Sequence, residues 1–394
     1  MWPRLAQPRF PRHSGRTVTH VAIVGGGITG AIAAYVFADA GVSVTLLEAN
    51  RIASGSTAAS TALLMQEPDK DLRELAGRYG KARTRRIWRA IRRANDQLIA
   101  AIRRARVACD LRTADSVYYA ARPDALTDLQ REFRARRAAG LPGTWLSAEA
   151  LAARTGLRAG AGILTRGNAQ VNPVRACAGF VLRARARGAR VFEKSRVTRV
   201  RVTGEGVTIT TTGGQVRARA VVVATGYATP EFRPLAGRFR MLHTFVIGTG
   251  RLPVRVRRAL PGTRLMLWDT NRPYHYFRWT ADHRVLFGGG DRPHRPGPSR
   301  RSMRQTGEPK LIEHLNGLYP ALTDGAITHA WEGLFAQTPD GLPYIGPHRR
   351  YPHHLFALGY GGNGMSVSYL AATMLLRHYQ GTATDDDRLF GFSR

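Results

Sequence analysis

The apolar run Val21–Val24 leads directly into three glycines, and a further apolar stretch, Ile28 to Ala40, is stopped by Gly41. A short continuous apolar run bounded by glycines predicts a buried strand, and the longer run closed by a glycine predicts a helix. A second strand is predicted in VSVTLLEAN, closed by Glu48. From 71 to 106 the periodicity changes. Ile87, Ile91, Ala94, Leu98 and Ile102 recur at steps of four, three, four and four, which marks one face of a helix. Residues 115–121 read as a strand and 124–139 as an arginine-rich helix. Pro173 to Arg187 reads as a helix closed by Gly188. Three short β runs follow, Arg190–Phe192, Val197–Thr203 and Val207–Thr212, then a Gly213-Gly214 turn and the apolar strand Ala220–Ala224, which ends in Thr225-Gly226. Residues 240–290 are strand-rich, and a last helix is predicted over Ser366–Tyr379. This alternation predicts an α/β chain with an α+β mixture in its later half.

Composition changes this picture little. The chain has 394 residues, of which 43% are hydrophobic, enough for two domains and a large core. Two cysteines, Cys109 and Cys177, are too few for a disulfide framework or a cysteine metal cluster, which fits a reducing cytoplasm. The stretch Thr17–Ala38 contains no Asp, Glu, Lys or Arg, yet its four glycines in a turn arrangement argue against a membrane span. Residues 1–16 are rich in Arg and Pro, lack the apolar core of a secretion signal, and read as a disordered tail. The net charge of +33 would suit an anionic partner. However, only four of the 60 basic residues are lysines, and the arginines are spread over the whole chain. A base-composition bias explains this more simply than a dedicated nucleic-acid surface, and no specific nucleic-acid partner is expected.

The chemistry lies in the first turn. Gly25, Gly27 and Gly30 form a G-x-G-x-x-G pattern between a strand and a helix, with Ile28 and Thr29 opening that helix. The first glycine permits the turn, the second leaves room for a pyrophosphate, and the third lets helix and strand approach. The helix N-terminus offers N–H donors to the phosphates. Glu48 follows Gly30 by 18 residues, where a carboxylate can accept hydrogen bonds from ribose hydroxyls. A carboxylate there disfavours a 2′-phosphate, and with it NADP. The segment RIASGSTAASTALLM, 51–65, is small and hydroxylated and suits close approach to a large cofactor. His348, His353 and His354 have no carboxylate or cysteine at ligand spacing, so no metal site is expected.

From about Val18 to the C-terminus the chain resembles the FAD-dependent amine and amino-acid oxidoreductases of the D-amino-acid-oxidase-like (DAO) superfamily. The resemblance is greatest to the bacterial glycine, sarcosine and gamma-glutamylputrescine oxidase types. It rests on a series of motifs in order: GGGITG with Glu48, SGSTAAST, NAQVNP, VVVATG, DTNRPYHYFR with FGGGDR, QTPDGLPYIGP and GYGGNGM. It implies an interleaved Rossmann-like FAD-binding domain over 17–70, 155–230 and 335–394, with a β-rich substrate domain over 71–154 and 231–334. It also implies ADP contacts at Gly25, Gly27, Gly30, Glu48, Val197, Thr225 and Gly226. Ser56, Thr57, Ser60 and Thr61 would lie beside the flavin. Gly361, Gly362, Asn363, Gly364 and Met365 would lie near its pyrimidine edge.

With that resemblance, the expected activity is oxidation of the C–N bond of a small amine or amino acid by hydride transfer to non-covalent FAD. No cysteine follows Cys177 to carry a covalent link. The acceptor of the electrons, oxygen or a quinone or protein, stays open. Arg278 matches a position where relatives hold a substrate carboxylate. Tyr276 shares its strand face by the two-residue period, and His275 does not. Two alternatives keep the same fold. One is a 2-hydroxy acid as substrate, and the other is a flavoprotein acting on or docked to tRNA.

Overall fold

A computed structural model of the chain describes residues 2, 8–204, 206–294, 300–322 and 327–394. Two sheets dominate it. The first is organised around β1 (Gly15–Val24), which enters a tight turn and then α1 (Ile28–Asp39), followed by β2 (Val44–Leu47) and the one-turn helix α2 (Ser56–Ala59). β1 lies between β2 and the long strand Gly214–Gly226, parallel to both. The strands Tyr351–Leu358 and Arg190–Phe192 extend the parallel sheet on either side. The hairpin Val197–Thr203/Gly206–Thr211 pairs with the opening half of Gly214–Gly226. The period of two in β1 serves a sheet covered on both faces. Val21 and Ile23 face the helical core formed with α1 and the helices Pro173–Arg185, Lys81–Arg104 and Gly364–Gln380, while Ala22 faces a second core that contains Phe232 and Phe356.

The second sheet has eight strands. From one edge to the other they are Ile327–Gln337, Arg240–Thr249, Val285–Pro293, His275–Trp279, Leu265–Asp269, Asp115–Tyr119, Ala161–Thr165 and Thr144–Ser147. All neighbours are antiparallel except Leu265–Asp269 and Asp115–Tyr119. One face packs on the helix Arg300–Leu318 through Phe277, Trp279, Phe287, Leu311 and Leu315. The other face looks toward the first sheet. A three-stranded ribbon, Leu63–Leu64, Ala169–Gln170 and Arg112–Thr113, bridges the two halves.

Several expectations shift. The helix expected over 71–106 is two helices, Leu72–Tyr79 and Lys81–Arg104, because Gly80 takes a left-handed φ of 76° that an α-helix cannot contain. The domain boundaries expected at 71 and 155 move. Ile87, Ile91, Leu98 and Ile102 belong to the helical core of the first sheet, and Ala161–Thr165 is a strand of the second. The tail expected over 1–16 is packed where it is described, although residues 1 and 3–7 lie outside the described residues. Phe10 is buried, and the buried His13 bonds through Nδ1 to the Thr211 hydroxyl at 2.9 Å.

Candidate active site

A cavity of about 980 Å³ lies between the two sheets, at the large end of the range for small-molecule and cofactor sites. Its wall on the first sheet's side starts at the glycine turn. Gly25 has φ 108°, and a Cβ there would lie 2.6 Å from the Ala224 carbonyl oxygen. Gly30 sits behind the wall, where a Cβ would collide with the Gly25 carbonyl. Gly27 faces the cavity and is the N-cap of α1, without a side-chain cap of its own. The Thr57 hydroxyl accepts from the Ile28 N–H at 2.9 Å, and the Thr29 hydroxyl pairs with Ser368 Oγ at 2.8 Å. Glu48 accepts from the Gly26 N–H at 2.6 Å and the Asn50 N–H at 2.7 Å, one on each oxygen. A carboxylate has about four acceptor sites, so each oxygen keeps capacity for a hydroxyl on the cavity side.

The hydroxylated segment expected to approach a cofactor does line the cavity, through Ser56, Thr57, Ser60 and Thr61. Val197, Thr225 and Gly226 line the same wall, and the Thr225 hydroxyl is engaged by the Tyr227 carbonyl at 2.8 Å. Gly361 to Met365 form the next stretch of wall. Gly362 N–H donates to Asp69 Oδ2 at 2.6 Å, and Asn363 Nδ2 donates to the Glu67 carbonyl at 2.7 Å. The helix Gly364–Gln380 therefore begins at the cavity with no side-chain cap, as α1 does. Two helix N-termini thus present positive dipole ends and N–H donors to one space. The remaining first-turn donors, beyond the Ile28 N–H that Thr57 takes, together with a side-chain-free approach at Gly27 and the free acceptor capacity of Glu48, fit a dinucleotide cofactor.

Tyr276 lines the cavity from the second sheet, its hydroxyl 3.3 Å from Thr244 Oγ1. Arg278 is not on the cavity wall, although it shares the strand and the face. Its guanidinium is buried and donates from Nη1 to the carbonyls of Thr61, Ala62 (3.1 Å) and Val171 (3.0 Å), and from Nε to that of Trp279 at 3.3 Å. Burial, with repulsion from Arg112, pulls its pKa down to about 9. This arginine ties the cofactor-side loop to the β-sheet and is spent on backbone. The two-residue period placed it on the correct face but could not show what it touches.

Sequence reasoning missed the groups that Tyr276 shares the cavity with. Trp268, Tyr274, Asp291, His243, His294 and Glu332 line it from the second sheet or its flank, and Asp69 lines it from beside Gly362. Asp291 stands in the FGGGDR motif and Tyr274 in PYHYFR, so the motifs were visible while their roles were not. Burial pushes the Asp69 carboxyl up to about 7, opposed by the Gly362 N–H and reinforced by Asp291. Burial likewise pushes Asp291 up to about 6. Burial raises the Tyr274 and Tyr276 phenols as well, with Asp69 and Asp291 adding for Tyr274 and Asp291 for Tyr276. Away from the cavity, Asp269, His275 and His314 come together. Asp269 is saturated by Asn271 N and Nδ2 and by His275 N and Nδ1, at 2.8 to 3.0 Å, which locks the turn between two strands.

A doubly wound sheet with a glycine turn, Glu48 and a β-rich roof over one cavity defines a dinucleotide-dependent oxidoreductase, and the comparisons with known proteins make this specific. The chain belongs to the FAD-dependent oxidoreductase family DAO, whose pattern matches residues 20–377, and it is an FAD enzyme. It is 28% identical over 367 residues to gamma-glutamylputrescine oxidoreductase of Escherichia coli (strain K12), across 92% of this chain and 84% of that protein. It is 27% identical over 365 residues to glycine oxidase of Geobacillus kaustophilus (strain HTA426), across 90% and 91%. The crystal structure of glycine oxidase from Geobacillus kaustophilus superposes with a TM-score of 0.79 at 22% identity, over 96% of this chain and 99% of that one. Among the described residues, no helix is long and apolar enough to cross a membrane.

Proposed function

We propose that this chain oxidises the C–N bond of a small amine, with FAD held along the wall that runs from Gly25, Gly27 and Glu48 to Gly361–Met365. The observation that carries this reading is the cavity itself. It joins two uncapped helix N-termini to a polar, aromatic chamber under the second sheet. The named relatives, which act on glycine and on gamma-glutamylputrescine, support an amine at the reacting end.

When bound, FAD supplies the two-electron acceptor that turns the amine into an imine, which water then hydrolyses. The protein's part is position and field. Thr57 and the α1 N-terminus would hold the phosphates and Glu48 the ribose. The N-terminus of Gly364–Gln380, at the cavity wall, would offer preorganised donors to negative charge that develops on a reduced flavin bound there. Tyr276, flanked by Tyr274 and Trp268, orients the substrate and limits water. Arg278 acts as a positioning residue, fixing the Thr61–Ala62 backbone. The two buried, unpaired cysteines support a reading of the chain as cytoplasmic.

The test is the visible spectrum of the purified yellow protein, mixed anaerobically with amino acids, N-methyl amino acids, polyamine derivatives and 2-hydroxy acids. Bleaching by an amine is expected, and reoxidation by oxygen or by a quinone then identifies the acceptor. Bleaching by 2-hydroxy acids alone would overturn the amine reading.

A further inference from the structure

The chemistry of the substrate's far end follows from how charge is distributed around the cavity, and this step rests on the amine-oxidising reading above. Among the described residues, the arginines on the wall are Arg51 and Arg196, both beside Glu48 and Val197 on the first sheet's side. Arg51 is paired with Glu193 at 2.7 Å. Toward the second sheet the wall carries carboxylates, Asp69, Asp291 and Glu332, and Arg278, on the neighbouring strand but off the wall, gives its Nε and Nη1 to backbone carbonyls.

These carboxylates differ in their partners. Glu332 sits 3.7 Å from His243 Nδ1, and His243 bonds His294 at 2.7 Å, so that corner can neutralise itself. Asp69 has only the neutral Gly362 N–H at hydrogen-bond distance, and the two cations whose charge reaches it, Lys70 and Arg272, are paired with Glu74 and Asp71. Asp291 has the Thr244 hydroxyl and the charge of His275, while its Oδ1 is buried with no hydrogen-bond donor among the described residues. Both charges act on Tyr274, and a Cβ on Gly362 would collide with the Tyr274 hydroxyl while crowding Asp69 Oδ1. Trp268, Tyr274 and Tyr276 form an aromatic wall, with successive ring centroids 6.3 and 6.1 Å apart. Buried carboxylates whose neighbouring cations are engaged elsewhere or not in contact remain costly, and aromatic faces attract cations.

We propose that the substrate is an amine whose non-reacting end is a second cationic nitrogen, as in a diamine or polyamine derivative, and that Asp69 and Asp291 receive that cation against Trp268, Tyr274 and Tyr276. A carboxylate at that end meets two like charges and no arginine. The raised carboxyl pKa values agree with this, since they mark charged forms short of stabilisation, and a bound cation would lower both.

The holoenzyme tests this with three compounds of one length: 1,4-diaminobutane, butylamine and 4-aminobutanoate. Anaerobic flavin reduction at pH 8 should favour the diamine, with 4-aminobutanoate the poorest. Asp291→Asn and Asp69→Asn should each lower the diamine-to-butylamine ratio of flavin reduction by about tenfold or more, as loss of a buried charge partner does. A preference for 4-aminobutanoate, or an unchanged diamine-to-butylamine ratio in both variants, would overturn the proposal. Calorimetric binding of 1,4-diaminobutane to the oxidised holoenzyme separates the two readings. If no amine reduces the flavin but the diamine binds and Asp291→Asn abolishes binding, the cation site stands and the amine-oxidation reading falls. If the diamine neither reduces the flavin nor binds, the cation site falls.

Discussion

Arg278 shows how far a residue's role can sit from its motif. One guanidinium nitrogen satisfies three carbonyls, from Thr61, Ala62 and Val171, in a buried setting. Arg278→Met keeps much of the volume and removes the donor to the Thr61 and Val171 carbonyls, while Ala62 O keeps the Val171 N–H; a buried acceptor left unpaired costs about 1–3 kcal/mol. The expected outcome is a lower Tm and weaker FAD retention, with the ratio of kcat/KM between carboxylate-bearing and carboxylate-free amines unchanged. A selective rise in KM for the carboxylate-bearing amine would instead put this side chain in the substrate site. Asp69 gives a pH dependence. Its carboxyl titrates at about 7 in the fold against an ordinary 3.8, so between those values the folded chain keeps a proton that the unfolded chain has released. Stability from this group therefore falls as pH rises from about 4 to about 7, and it stays lost above that. Asp69→Asn should raise the Tm of the cation-free protein at pH 8 and give progressively less gain toward pH 4.

At the scale of elements, caps and breaks are written locally, although the Gly80 break inside 71–106 was not read from the sequence. Asn172 accepts from the N–H groups of Val174 (3.1 Å) and Arg175 (3.2 Å), and Pro173 fills the first helical position, so NAQVNP is the start of a helix. Asn172→Ala should lower unfolding stability by about 1 kcal/mol, read by urea denaturation, without changing the flavin spectrum. A change in the spectrum would show that this cap also positions the cofactor. The same motif carries Asn168, whose amide reaches Glu67 Oε2 at 3.1 Å and Ser116 Oγ at 2.8 Å, stitching the ribbon to the second sheet. Nothing in the local pattern announces that contact, because its partners lie 101 and 52 positions away.

The molecule as a whole is two sheets that meet at one cavity, so cofactor binding and stability are coupled. A ligand that binds only the folded chain adds about 4 kcal/mol at a thousandfold excess over its Kd. Gly27 faces that ligand, and the nearest atom to a Cβ placed there is Thr57 Oγ1 at 3.2 Å. Gly27→Val should leave the chain folded but colourless, with a Tm matching that of wild-type protein stripped of FAD. A yellow, fully loaded variant would remove Gly27 from the phosphate site. The +33 charge acts at this scale too. It is distributed among many exposed arginines, while the cavity's inner end is acidic, so a cationic substrate is attracted locally by a protein whose overall field repels it.

What the sequence alone determined was everything local: the strand–glycine–helix turn, Glu48, the hydroxylated loop, the GYGGNGM turn, the family and FAD. These depend on backbone conformation, periodicity and short-range capping, which neighbouring residues dictate. Only the tertiary structure decided the rest. It drew Lys81–Arg104 into the first core and Ala161–Thr165 into the second sheet, and it spent Arg278 on backbone. It also set Asp69 beside Asp291 across more than two hundred residues of chain. The physical reason is that the charge, burial and partners of a side chain belong to whatever packs against it, and in this fold that is mostly distant chain.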